Sequence, residues 1–191
     1  MTTKLLDIPN GRGEYEKIRA TYLNHGCFAT CYRVGDTVYA LVRKGMNYTD
    51  LSKEGVALFC QGTHIPKIKA LGEAKRKKYY VYTMPFYNDL KDKSSQAWLQ
   101  WEKLCKIKDG MPACPTKGGY SYNKEIIKRL KLSHAAPDVI SDLEKINNAL
   151  SQYGDDYFFE FGQNNVKVDN GENLILLDVI FSRNAYWDDD D

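Results

Sequence analysis

The feature that most constrains the fold is an ordered series of polar residues in the last quarter of the chain. A carboxylate, Glu160, stands five residues before an amide, Asn165, and a second carboxylate, Asp178, follows the apolar run Leu174–Leu177. Between them, the pair Asn170-Gly171 favours a tight turn. We therefore predict a β-hairpin that folds Asp178 back beside Asn165.

The order acid, amide, hairpin, acid is suited to holding a divalent cation among phosphate groups. In such a site one acid orients an attacking hydroxyl, while the amide and the second acid hold Mg²⁺. This interpretation makes Glu160 the catalytic candidate, and it makes Asn165 and Asp178 the metal ligands. Asp155 and Asp156 are close enough in sequence to compete with Glu160 as the acid.

Composition restricts the class of protein and its partners. The chain has 191 residues and a net charge of only +2, and its acidic run Asp188–Asp191 opposes nucleic-acid binding locally, so we do not expect a nucleic-acid partner. No apolar run approaches the roughly 20 residues of a membrane helix, so we expect no membrane association. An odd number of cysteines, five, and a first segment without an apolar signal core predict reduced thiols in a cytoplasm.

The pattern of the chain changes near residues 85–90, which predicts an α+β fold in two lobes. Runs of β-branched and aromatic residues predict strands at 32–43 (broken by a turn at Gly35-Asp36), 65–71 and 79–84, and a capped apolar pattern predicts one helix at 50–60. Helical spacing predicts further helices at 94–109, 123–132 and 138–153, with a Gly- and Pro-rich loop at 109–120. We expect a strand-rich nucleotide-binding lobe at 1–88 and a helical lobe at 89–191 that carries the hairpin and the acidic tail.

Residues of the strand-rich lobe supply candidates for holding a nucleotide. Small residues around a possible phosphate-binding turn, with an aromatic cap, give the candidates Gly26, Phe28, Ala29 and Thr30. Lys44 closes a predicted strand and would bind phosphates, with Glu54 holding its ammonium group in place. The alternatives are that the glycine is an ordinary turn, that the charges are solvated strand-end groups, or that Arg43 is the working cation.

With these residues assigned, the chain resembles the protein kinases, and in particular the small early protein kinases of short-tailed, T-seven-like bacteriophages. The resemblance covers roughly residues 17–183 and depends on segments 26–32, 42–44, 57–60, 65–68 and 161–181. It implies a two-lobed kinase-like fold, with an antiparallel-sheet amino-terminal lobe containing one helix and a reduced helical carboxy-terminal lobe. It also implies ATP and Mg²⁺ as cofactors, and host proteins in the host cytoplasm as substrates.

Three departures from the kinase pattern bear on function. Glu160 stands where the family has an aspartate, and only one glycine remains in the phosphate-binding stretch. Val179-Ile180 follows Asp178 in place of Phe-Gly, and the 13 residues after Asp178 leave no room for a regular activation loop. The resemblance implies a minimal Ser/Thr protein kinase that acts during host takeover. The alternatives are a kinase-shaped pseudoenzyme that binds and inhibits or redirects a host protein, and a small-molecule phosphotransferase.

Overall fold

The fold is α+β, as predicted, and it divides into two compact units. The computed structural model describes residues 2–10, 12–25, 29–43, 61–75, 78–115, 118–152 and 154–182. One unit consists of residues 1–58 and 67–86, and the other consists of residues 59–66 and 87–191. Segment 59–66 therefore groups with the second unit, although it lies between two parts of the first in sequence.

The first unit is built on a six-stranded antiparallel sheet in the order β1-β2-β3-β4-β6-β5. Its strands are β1 (Thr3–Pro9), β2 (Tyr15–His25), β3 (Ala29–Val34), β4 (Thr37–Arg43), β5 (Lys69–Glu73) and β6 (Tyr79–Pro85). Strands β1 and β2 were not predicted. In β1, Leu6 and Ile8 alternate with an exposed residue and join the core around Ala20, Tyr32 and Val81. This alternation is the two-residue period of a strand with one buried face.

The predicted turn at Gly35-Asp36 is confirmed. It joins β3 to β4, with Val34 paired to Thr37, and Gly35 adopts a left-handed φ of 56° that a residue without Cβ tolerates. Arg33 donates from Nε to the Gly35 carbonyl oxygen at 2.6 Å, which fixes the end of the hairpin.

The strand predicted at 65–71 is displaced along the chain, since β5 begins at Lys69. The displacement has two causes. Pro66 lacks the backbone N–H that a strand ladder requires, and Ile65, which is 3% exposed, is buried as part of the second unit.

The second unit combines helices with short strands. Its described helices are α1 (Gln96–Asp109), α2 (Gly119–Leu132) and α3 (Pro137–Leu150), and its strands are β7 (Asn88–Asp89), β8 (Tyr157–Phe159), β9 (Val166–Val168), β10 (Leu174–Leu176) and β11 (Ile180–Ser182). The strands form a sheet in the order β10-β9-β7 and a separate β11-β8 pair. Leu104, Ile126, Leu143, Phe158 and Leu174 are among its fully buried side chains. Among the described residues, no helix combines the length and the apolar character needed to cross a membrane.

Helix α2 begins four residues earlier than the predicted helix at 123–132. The backbone N–H of Gly119 donates to the Asp155 carbonyl at 2.7 Å, and the N–H of Tyr120 donates to the Asp155 carboxylate at 2.9 Å. A Cβ at Gly119 would overlap the Tyr157 carbonyl oxygen, so glycine allows the close approach. The helix start depends on residues far away in sequence, and the local Gly-Gly pair predicted a loop instead.

Candidate functional site

The backbone carbonyl of Asn165 is hydrogen-bonded to the main chain at Leu177 and Asp178. The Asn165 carbonyl oxygen accepts the N–H of Leu177 at 3.0 Å and the N–H of Asp178 at 2.9 Å. Asn165 is the last residue of a short 3₁₀ turn, Gln163–Asn165, and its own N–H donates to the Gly162 carbonyl at 2.9 Å. The predicted return of Asp178 to the neighbourhood of Asn165 is therefore present, and it is fixed by main-chain bonds.

The hairpin that produces this return is β9-β10, with Val166 paired to Leu176 and Val168 paired to Leu174. Its turn has Asn170-Gly171 at the centre, as predicted. The N–H of Glu172 donates to the Asp169 carbonyl at 3.1 Å and closes the turn.

The Asp169 side chain reinforces the turn. Its carboxylate accepts the N–H groups of Gly171 at 2.9 Å and Asn173 at 2.8 Å. The residue in the left-handed conformation is Glu172, with φ 62°, and not Gly171. A charged side chain with several local hydrogen bonds thus stabilises a turn that glycine alone would leave more mobile.

Glu160 directly follows β8 and is exposed. Its backbone N–H donates to the Val179 carbonyl at 2.8 Å, which continues the β8-β11 pairing of Phe159 with Ile180. Since Val179 is the neighbour of Asp178, main-chain bonds connect all three predicted residues of the hairpin region within the second unit. Asp178 is exposed and Asn165 is half-buried, so both side chains reach the surface.

Asp155, one of the two competing acids, has a structural role. It accepts N–H groups at the start of α2 through both its carbonyl and its carboxylate. A carboxylate at a helix amino terminus is stabilised by the unpaired N–H groups there. Within the part of the chain that the structure describes, Glu160 makes no such helix contact; it stays the catalytic candidate, with Asp156 as its alternative.

The loop between Glu160 and Asn165 is held by two side chains that the sequence interpretation did not assign to the site. The Trp101 indole N–H donates to the Phe161 carbonyl at 2.8 Å. The Gln163 amide donates to the Leu90 carbonyl at 3.0 Å. Trp101 contributes to the apolar spacing that predicts the helix at 94–109, and that spacing does not indicate that its indole N–H donates to this loop.

Cys105 lies against the same carbonyl and is not a nucleophile. Its Sγ is 3.4 Å from the Phe161 carbonyl oxygen. Burial, followed by the nearby carboxylates of Asp109 and Glu102, raises the pKa of the Cys105 thiol to about 11. The thiol therefore stays protonated at neutral pH, and only the thiolate is reactive.

His64 supports the hairpin from the other side and is 1% exposed. Its backbone carbonyl accepts the N–H of Leu176 at 2.8 Å, and its ring Nδ1 is 2.7 Å from the Leu174 carbonyl. Because that carbonyl can only accept, Nδ1 carries a proton. Asp142, 2% exposed, accepts the His64 backbone N–H at 2.9 Å and pairs with Lys145 at 2.7 Å. No motif in the sequence marked this histidine.

The edge of the three-stranded sheet carries a further ion pair. Lys167 on β9 donates to the Asp89 carboxylate at 3.0 Å. The Lys167 hydrogen bond and charge, together with Lys91, hold the pKa of Asp89 below its ordinary value. The pair is partly exposed and adds little stability, but it fixes the register of β7 on β9.

The candidates in the strand-rich unit are only partly covered by the described residues. Ala29 and Thr30 begin β3 and pair with Val42 and Leu41 of β4. Arg43, the alternative cation, is the exposed last residue of β4. The other candidates lie outside the described residues: Gly26, Phe28, Lys44 and Glu54.

No protein-family model and no curated protein sequence matches the chain. Across the described parts of the chain, no cluster of three or more His, Cys, Asp or Glu side chains is arranged to hold a metal ion. An amide-carboxylate pair such as Asn165 and Asp178 is a smaller donor set, which would need oxygens from a ligand or from water to complete a coordination sphere.

Proposed function

We propose that the protein is an ATP- and Mg²⁺-dependent serine/threonine protein kinase that modifies proteins of a host cell. The observation that carries this proposal is the pair of hydrogen bonds from Leu177 and Asp178 to the Asn165 carbonyl. They keep an amide and a carboxylate at the same end of one hairpin. In kinases the metal-holding groups follow in the same order along the chain, an asparagine and then an aspartate.

The donor chemistry supports Mg²⁺ as the ion. Mg²⁺ takes oxygen ligands and is commonly bound through one or two protein groups together with substrate phosphates. The Asn165 amide oxygen and the Asp178 carboxylate would hold it, and both side chains reach the surface. When bound, the ion would neutralise charge on the nucleotide phosphates.

Glu160 would accept the proton of a substrate serine or threonine hydroxyl. Two hydrogen bonds restrain the backbone around it: its own N–H donates to the Val179 carbonyl, and the Trp101 indole N–H donates to the Phe161 carbonyl. Such restraint matters because displacement of a catalytic group by about 1 Å can cost orders of magnitude in rate. Glutamate is one methylene longer than aspartate, so the substrate hydroxyl would have to bind correspondingly farther from the Glu160 backbone.

The strand order of the first unit also supports the proposal. Strands β2, β3 and β4 are consecutive neighbours, and β4 lies beside β6. In sequence, Gly26 and Phe28 stand between β2 and β3, and Lys44 directly follows β4. Kinases use a glycine-containing loop and a strand lysine in this order to bind the phosphates of ATP.

The deciding experiment is phosphate transfer. Purified protein would be incubated with γ-labelled ATP, Mg²⁺ and host lysate, with a chelator-treated reaction as the control. Label on host proteins that depends on both Mg²⁺ and Asp178 supports the kinase. If the parent protein transfers no phosphate but still arrests host growth, the kinase-shaped binding protein is the correct alternative.

A further inference from the structure

The second unit has a basic groove on the side formed by α2 and α3. The groove has a volume of about 740 Å³ and is lined by residues of these two helices alone. Ile127 lies at its buried side, and Leu132 at its end is 72% exposed, which is unusual for a leucine. Glu160, Asn165 and Asp178 are not among its lining residues.

Three lysines form a row along the α2 side of the groove. Lys124, Lys128 and Lys131 line it, are all exposed, and are spaced four and three residues apart. This spacing puts them on one face of a helix, with axial separations of about 6 Å and about 4.5 Å.

Few carboxylates offset these charges. Lys131 pairs with Glu144 at 2.7 Å, and Glu144 is the one acidic residue that lines the groove. Lys128 is 3.7 Å from Glu125, a long contact between exposed groups. Lys124 lies over the Tyr120 ring, 4.9 Å from its centre. The groove is therefore positive, with an apolar side and an apolar end.

We propose that this groove binds an extended acidic segment of a partner protein, in which carboxylates at every second position are followed by an apolar residue on the same face. Side chains on one face of an extended peptide recur about every 6.6 Å, close to the separation of Lys124 and Lys128 along the helix. Apolar residues of the segment would contact Ile127 and Leu132, and its carboxylates would pair with the lysines.

The apolar side favours a peptide over a nucleic acid. A phosphate backbone would leave Leu132 without a contact, whereas a peptide satisfies both the lysines and the apolar surface. The binding does not require phosphate transfer, so it can be tested independently of the proposed kinase activity.

The test is fluorescence anisotropy with the full-length protein and a labelled peptide that carries glutamates and leucine on one face, with serine at the intervening positions. Lys124→Gln, Lys128→Gln and Lys131→Gln together should weaken binding about tenfold or more, because three charge pairs with the peptide are lost. The matched control Lys4→Gln, Lys17→Gln and Lys106→Gln removes the same charge from exposed positions elsewhere and should change affinity less than about twofold.

A second variant acts in the opposite direction. Glu144→Gln removes the competing carboxylate from Lys131 and should tighten peptide binding about two- to threefold. Equal weakening by the groove and control variants, or unchanged affinity in Glu144→Gln, would overturn the proposal. So would equal binding of a peptide with glutamine in place of glutamate, or tighter binding of a single-stranded oligonucleotide than of the acidic peptide. If the acidic peptide binds only after Asp188–Asp191 are removed, the groove binds the protein's own acidic run. That result would also overturn the proposal.

Discussion

The buried side chain of Asn123 accepts the backbone N–H of Phe159 at 3.0 Å. Its amide nitrogen also donates to the Tyr157 carbonyl at 3.1 Å and to Asn147 at 3.0 Å. A single asparagine on α2 therefore fixes the strand that ends directly before Glu160. The position of the candidate catalytic residue depends on this helix side chain, although the two lie 37 residues apart in sequence.

Asn123→Ala should lower the free energy of unfolding by about 2–4 kcal/mol, because it leaves buried backbone and amide groups without partners. Chemical denaturation monitored by fluorescence measures this loss. Asn148→Ala is the matched control, since Asn148 is exposed and should change stability by less than about 0.5 kcal/mol. Similar small losses in both variants would show that the Asn123 bonds do not hold β8.

Gly62→Ala should destabilise the second unit by about 1–3 kcal/mol. A Cβ at Gly62 would overlap the Asp142 carboxylate, which is buried and bound to the His64 N–H and to Lys145. The carboxylate cannot move without losing these partners. Gly110→Ala is the control, because its φ is −79° and its nearest contact is an ordinary 3.4 Å. Equal unfolding free energies for the two variants would contradict the expectation.

Asp138→Asn should lower the free energy of unfolding at about pH 5 and leave it nearly unchanged in strong acid. Partial burial raises the pKa of Asp138, but the hydrogen bonds from His64 and the Val139 N–H outweigh it, so the pKa lies below its ordinary value. A lowered carboxyl pKa stabilises the fold above the unfolded pKa of about 3.9 and loses that contribution as pH falls through the folded pKa. His64 Nε2 lies 3.1 Å from the carboxylate.

Denaturation of the parent and of Asp138→Asn should therefore differ at about pH 5 and converge as the pH falls below about 4. The difference should stay under about 1 kcal/mol, because the Asp138 side chain is 55% exposed and solvent screens the pair. A difference that grows on acidification would contradict the assignment.

Asp178→Asn should abolish the Mg²⁺-dependent part of ATP binding, because the neutral amide loses the charge that attracts the ion. Isothermal titration calorimetry with and without Mg²⁺ measures this. Asp169→Asn is a useful comparison, since that carboxylate binds the turn of the same hairpin. Unchanged Mg²⁺-dependent affinity in Asp178→Asn would reject the metal assignment.

Glu160→Gln should lower phosphate transfer by on the order of 10² or more, the usual contribution of a positioned base, while ATP affinity stays nearly constant. Glu160→Asp tests the additional methylene, because aspartate keeps the carboxylate and changes only its reach. Steady-state transfer and nucleotide titration on both variants give the rate and the affinity separately. Full activity in Glu160→Gln would exclude this residue as the base.

The sequence predicted those features of the site that depend on short stretches of chain. Asn170-Gly171 specifies its turn locally, and the apolar residues on both sides specify the strands of the hairpin. The approach of Asp178 to Asn165 follows from that hairpin. The helix at 94–109 was also predicted, because its apolar spacing is a local signal, and the structure has it at Gln96–Asp109 with Ser95 as its cap.

Features that depend on distant partners were missed. The start of α2 requires Asp155, and the loop before Asn165 requires Trp101. His64 has an isolated position in the sequence, yet its contacts to Leu174 and Leu176 span more than 100 residues. Local propensity has no information on such pairings, because their free energy comes from burial and from hydrogen bonds formed only in the assembled fold.

The membership of segment 59–66 in the second unit limits how the protein can be divided into fragments. The chain passes between the units after residues 58, 66 and 86. A fragment ending at residue 88 would retain Ile65 and His64 but lack the strand and helix that bury them, and the complementary fragment would lack a segment that pairs with Leu176. Neither piece should be soluble when expressed alone, and co-expression of the two should rescue them. Genetic dissection of the protein therefore has to keep this segment connected to the carboxy-terminal part.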